Sequence, residues 1–268
     1  MRHVLFATAA LLALAACQPV STTTSATPPA TATLEVADAP TEATSSVAAN
    51  APYIVAALAD THRTPEERAR DAARHPAEIL AMAEVSPGEK IVELVPGEGY
   101  FTRLFSDAVG ARGRVYAVNR THPSQYEHPV LANVANVTNV SADYDKFTVP
   151  APVDLVFTAL NYHDLKIASY NMGDTVGMDR AAFNALKPGG VYVVIDHSAI
   201  AGQVTDQEHP LHRIDQALVR REVESVGFVY DGETQILRNP ADPRTANVFD
   251  PVIRGHTDQF FMRFRKPN

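Results

Sequence analysis

The chain has 268 residues, 23 lysines and arginines against 31 acidic residues, a formal charge of −8 and one cysteine. That charge gives no electrostatic drive toward nucleic acid or anionic lipid, and a single cysteine excludes a disulfide framework. The length accommodates a leader, a linker and one globular domain with a sizeable core.

The first residues, "MRHVLFATAALLALAAC", place Arg2 before an apolar run that ends in small residues. This is the build of a secretory signal peptide over residues 1–16, too short to span a membrane as a helix. Leu14-Ala15-Ala16-Cys17 resembles the lipobox of bacterial lipoproteins. The resemblance implies that Cys17 is lipidated, becomes the new N-terminus, and holds an exported protein on the periplasmic side of a membrane. The domain would then retain no thiol, which removes a cysteine nucleophile and cysteine-ligated zinc from consideration. Residues 17–50 are rich in Thr, Ser, Ala and Pro and poor in large apolar side chains, so burial could not offset the entropy of ordering them. They read as a flexible tether with a reach of roughly 30 Å, and residues 51–268 as the globular domain.

Thr64-Pro65-Glu66-Glu67 has the spacing of a capping box with proline at the first helical position. It predicts a helix through "PEERARDAAR", a break at His75-Pro76 and a restart through "PAEILAMAEV". Along the first of these, Arg68, Asp71 and Arg74 share a face and read as a solvated charge network. Pro87 and Gly88 centre a turn, and "KIVELV" follows as a strand that is apolar on both faces. After a glycine-rich turn, "YFTRLFSDAV" puts Phe101, Leu104, Phe105 and Ala108 on one helical face. "GRVYAVN", "NVTNVSAD" and "VDLVFTAL" read as strands, "DRAAFNAL" as a helix closed by a "KPGG" turn, and "VYVVIDH" as a further strand. "DQALVRREVESVGF" is a helix stopped at Gly227, and "FVYDGETQILR" and "QFFMRFR" are late strands. Strands alternating with helices predict an α/β fold with a mostly parallel sheet, helices on both faces and ligands at the C-terminal strand ends.

The turn in "VELVPGEGYFTRL" admits three ligands. A Walker loop requires Gly-Lys-Ser/Thr, and none follows Gly99. A dinucleotide site requires a third glycine where Thr102 stands and an acid at the end of the second strand, where this chain has Asn119. The third ligand is S-adenosylmethionine, and here the residues resemble the first motif of class I methyltransferases, with a Rossmann-like sheet. Glu93 takes the acidic place, Gly97 and Gly99 the last two glycines, and Val95 a position where a further glycine is common. "VDLVFTALNYHD" and "LKPGGVYVVIDHS" resemble later segments of the same family. From about Arg68 to Phe264 the chain is similar to a bacterial group of predicted methyltransferases that often carry export signals. The resemblance implies methyl transfer to a small-molecule acceptor, with Glu93, Pro96, Gly97, Gly99, Asn119, Asp143 and Asn161 binding the cofactor. Glycines let backbone approach the ligand closely, and a carboxylate orients its cationic amino group.

Methyl transfer from a sulfonium needs alignment and, for an OH or NH acceptor, removal of a proton. Histidine suits that base. His163 follows the fourth strand, His197 the fifth, and His212 lies in the loop beyond. The catalytic candidates are His197, with Asp196 setting its tautomer, His163 and His212; His75, His209 and His256 read as structural. Two further readings remain open. One is a metal-dependent enzyme using His163, Asp164, Asp196, His197, His212 and Asp215. The other is a non-catalytic exported ligand-binding lipoprotein on the same scaffold.

Overall fold

The computed structural model describes residues 48–121, 129–203 and 205–268. The expected signal peptide, Cys17 and nearly all of the expected tether lie outside the described residues. Among the described residues seven strands form one sheet in the order β3-β2-β1-β4-β5-β7-β6. They are β1 (Lys90–Leu94), β2 (Arg114–Asn119), β3 (Val137–Ser141), β4 (Val153–Ala159), β5 (Leu186–His197), β6 (Val229–Thr234) and β7 (Gln259–Arg265). The first five pair in parallel, and β7 runs antiparallel between β5 and β6. The expected mostly parallel α/β class is what the chain forms.

Strand side chains alternate between two cores, which explains why the strands read as nearly continuous apolar runs. Ile91, Val115, Ala117, Leu155, Phe157 and Val193 face one core. There they meet α1 (Pro52–Ala59), α4 (Pro76–Met82) and α5 (Tyr100–Val109). Val92, Leu94, Val118, Val156, Tyr192 and Val194 face the other, beneath α6 (Thr175–Ala185) and α7 (Gln216–Ser225). Among the described residues no helix is long and apolar enough to cross a membrane.

Three expected elements differ in detail. The helix over 65–74 is divided into α2 (Pro65–Ala69) and α3 (Asp71–Arg74), because Arg70 has tightened geometry and its N–H turns to the carbonyls of Glu67 and Arg68. The capping box itself is present: Glu67 N–H donates to Thr64 Oγ1, and Thr64 N–H donates to the Glu67 carboxylate. The "KPGG" segment belongs to β5 and forms an irregularity in its pairing with β4, and Gly189 and Gly190 exchange hydrogen bonds with Lys266, the residue after β7. The strand expected through Arg238 ends at Thr234, after which Gln235 and Arg238 close a turn. Helix α1, not expected from the sequence, buries Ile54 and Ala57.

β1 and β4 are adjacent, but the chain leaves β1 for α5 on one face and β4 for α6 on the other. A crevice is expected where the two connections diverge, at the C-terminal strand ends.

Candidate cofactor and catalytic site

The glycine turn occupies that switch point. Gly99 N–H donates to Pro96 O at 3.0 Å, and Val95 N–H donates to Val118 O at 3.2 Å, joining the turn to β2. Val95, Gly97 and Gly99 all have left-handed φ values, of 53°, 56° and 80°. For Val95, which stands where the related motif commonly has glycine, that conformation is strained. The two glycines differ in purpose. Among the described residues a Cβ on Gly97 would meet nothing within 4 Å, which leaves its backbone open to a ligand, whereas one on Gly99 would lie 3.2 Å from Val130 Cβ. Gly99 is therefore required by the start of α5 and the packing of Val130, and close ligand approach falls to Gly97.

The other expected cofactor residues gather around this turn. Asn161 donates through Nδ2 to Val95 O at 3.4 Å and to Ala159 O at 2.9 Å, so it braces the turn from the end of β4. Asn119 ends β2, and its carbonyl accepts from Ala142 N–H at 2.9 Å, bringing Asp143 to the same edge. Asp143 is solvent-facing and pairs with Lys146 at 3.6 Å. The carboxamide of Asn119 is buried, and neither its oxygen nor its nitrogen has a hydrogen-bond partner among the described residues. Leaving such a group unsatisfied costs roughly 1–3 kcal/mol, a cost that a polar ligand at this position would remove.

Glu93 is buried on β1 and accepts from Thr102 Oγ1 at 2.5 Å. Burial pushes its carboxyl up to about 8, against the opposing influence of Thr102 and Arg74. Arg74 lies 4.7 Å from the Tyr100 ring centroid and 5.6 Å from that of Phe101. Burial, and then Arg70, lower its guanidinium to about 10. Asp71 is not part of a solvated network: it accepts from both terminal nitrogens of Arg63 and from Tyr100 Oη at 2.6 Å. The N-terminal helices thus close over the start of α5. Periodicity gave no signal for Arg63 or Tyr100, whose roles depend on partners distant in sequence.

A second cluster lies past β4 and β5. His163 Nδ1 is 2.7 Å from Asp196 Oδ1. The Asp196 carboxylate also accepts the backbone N–H groups of His163, at 2.8 Å, and His197, at 2.7 Å. Asp196 therefore orients His163, not His197 as expected from their adjacency. Consecutive strand residues point to opposite faces, which separates the two side chains. His197 Nδ1 instead meets Thr257 Oγ1 at 2.7 Å. Burial lowers its ring to about 4, so it is neutral and weakly basic at neutral pH. Burial opposes charge on His163 as well, but Asp196 and Asp164 outweigh it and raise that ring to about 10. Neither ring has the near-neutral affinity for protons that best suits a general base. His212 joins His163 and Asp164. Asp215 does not: it caps α7, accepting from Ala217 N–H, and also holds Gly202 N–H, each at 2.9 Å. A separate cavity of about 770 Å³, lined by residues including Ser198, Gln216, Arg238 and Asp258, contains none of the cofactor candidates.

The sequence matches no protein-family model. It is similar to a protein-L-isoaspartate O-methyltransferase of Methanosarcina mazei, 29% identical over 160 residues that cover 57% of this chain and 52% of the relative. The chain thus spans about half the length of that curated relative. In three dimensions it is similar to a protein of Galdieria sulphuraria described as a sarcosine dimethylglycine methyltransferase. That match has a TM-score of 0.51 and 17% identity, covering 75% of this chain and 88% of the other. It is also similar to the [4+2]-cyclase SpnF, with a TM-score of 0.54 and 14% identity over 80% of this chain and 91% of that one. A cyclase among these neighbours illustrates that fold does not select an activity. The chain has the Rossmann-like fold of the class I methyltransferases.

Proposed function

We infer that the protein is an S-adenosylmethionine-dependent methyltransferase acting on a small-molecule acceptor. The observation that carries this reading is the buried, unpartnered Asn119 carboxamide at the end of β2, beside a turn whose Gly97 is open to a ligand. An amide can both donate to and accept from a ribose diol. Gly97 would admit the cofactor backbone to backbone, Asp143 would meet the adenine amine, and Glu93 would orient the cationic amino group. Bound S-adenosylmethionine supplies a methyl group on an already activated sulfur. What remains for the protein is alignment of the acceptor, exclusion of water and, for an OH or NH acceptor, removal of its proton. The sequence similarity to an O-methyltransferase supports the reading.

Calorimetry with S-adenosylmethionine tests it. One site per chain is expected, and absence of binding heat together with no displacement by the demethylated product overturns the reading. Asn119→Leu should stabilise the ligand-free protein by about 1–2 kcal/mol, because an unsatisfied buried amide is removed. The same change should weaken cofactor binding at least about tenfold. Protons provide a second readout. Glu93, pushed up to about 8, is mostly protonated at pH 7, and a cationic ligand beside it favours the carboxylate. Binding at pH 7 should therefore release a proton, and affinity should rise from pH 7 toward about pH 8, above which the ligand's own amino group loses its charge.

The lipobox-like Leu14-Ala15-Ala16-Cys17 supports a lipid anchor and a location on the periplasmic side of a bacterial membrane. Cys17→Ala should then move the protein from the membrane fraction to a soluble exported one. Equal solubility of both forms would remove the anchor from the reading.

A further inference from the structure

His163 Nε2, Asp164 Oδ1 and His212 Nδ1 form a nearly equilateral triangle. Its sides are 3.1 Å from His163 to Asp164, 3.1 Å from His212 to Asp164 and 3.3 Å between the two imidazoles. With metal–ligand bonds of about 2.0–2.1 Å, adjacent donors stand about 2.8–3.0 Å apart around an octahedral ion and about 3.3–3.4 Å apart around a tetrahedral one. The three atoms have the spacing of one face of such a coordination shell. We propose that His163, Asp164 and His212 bind a divalent first-row transition-metal ion, with zinc the best match to two imidazoles and a carboxylate, through three protein ligands and with at least one further coordination position.

The surroundings of each ligand agree with this. Asp196 holds His163 through Nδ1, so Nε2 is the nitrogen turned toward Asp164 and His212. A carboxylate behind a metal-bound histidine fixes ring orientation and strengthens the ligand. Two backbone N–H groups also anchor Asp196, so the support is rigid. His212 is held from its other side by Tyr170 Oη, 3.3 Å from Nε2, and by the Phe249 ring, edge-on at 4.9 Å between centroids. Its φ of 55° is a left-handed conformation that histidine adopts with strain, of the kind that accumulates at ligand sites. The His163 side chain is 3% exposed, while those of His212 and Asp164 are 10% and 22% exposed. The triangle therefore has an inner and an outer side, and an exogenous oxygen or nitrogen ligand would enter from the outer one.

This site is separate from the glycine turn and stands whether or not the protein binds S-adenosylmethionine. If both readings hold, the ion sits at the ends of β4 and β5, where it would engage the acceptor and lower the pKa of a bound hydroxyl as zinc does for water.

The test is zinc binding to the full chain after chelator treatment, followed by calorimetry and by metal analysis after gel filtration. One equivalent bound with a dissociation constant of about 1 µM or tighter is expected. Asp164→Asn, which preserves shape, and His212→Ala, at the outer edge, should each weaken binding at least about tenfold. His62 and Asp60 form another close pair, at 2.9 Å on the surface, so His62→Ala should leave stoichiometry and affinity unchanged. Absence of tight zinc binding by the unmodified chain overturns the proposal, as does equal affinity in both ligand variants. Loss of binding in His62→Ala alone assigns the metal to the surface pair and also overturns it. Cooperative melting of the metal-free variants verifies that any loss is local, and the unmodified chain decides the question even if one variant fails to fold.

Discussion

Replacing Asp196 by asparagine is expected to lower folding stability by about 3–5 kcal/mol. Its carboxylate is fully buried and accepts from three donors, the His163 ring and the backbone N–H groups of His163 and His197. Asparagine nearly keeps the volume but replaces one acceptor oxygen with an amino group. If its oxygen faces the His163 ring and His197 N–H, the amino group faces His163 N–H, donor against donor. If it is flipped, two donors are opposed. His163 also loses the negative charge that raises its proton affinity. Urea unfolding should show a lower midpoint at an unchanged slope. Asp143→Asn provides the contrast: its half-exposed side chain lies 3.6 Å from Lys146, and such a pair contributes about 0–1 kcal/mol. A loss below about 1 kcal/mol in Asp196→Asn would show that this carboxylate does not hold the ends of β4 and β5 together.

Gly97→Val and Gly99→Val should separate binding from folding. Both positions have left-handed backbone, so each valine carries a penalty of about 1–2 kcal/mol from conformation alone. At Gly97 the new side chain enters open space, the space assigned to the cofactor. The expected result is a folded protein whose affinity for S-adenosylmethionine falls at least about 100-fold. At Gly99 the Cβ meets buried Val130 at 3.2 Å, so overpacking adds a further penalty of about 1–3 kcal/mol and the main result is lost stability. Calorimetry beside thermal unfolding distinguishes them. Unchanged cofactor affinity in a folded Gly97→Val protein would remove the glycine turn from the binding site.

Local residue patterns specify the class of fold and the position of the turn. Apolar runs such as "KIVELV" and "VYVVIDH" have the composition of strands buried on both faces, and the capping box at Thr64 is read from four consecutive residues. The adjacency of Glu93, Gly97 and Gly99 is likewise a local property, because one turn brings them together. Which polar groups become partners depends on how distant segments meet. His197 follows Asp196 in sequence, yet strand alternation separates their side chains and gives the carboxylate to His163, 33 residues earlier. Asp71 had the spacing of a solvated helix face, but Arg63 and Tyr100 enclose it from two other segments. Gly97 and Gly99 look alike in sequence and differ because Val130, from a later segment, packs against only one of them. The triangle of His163, Asp164 and His212 required the 3₁₀ turn after β4 and the loop after β5 to meet. Periodicity records how each segment faces the sheet; it contains no information on which side chains from different segments converge.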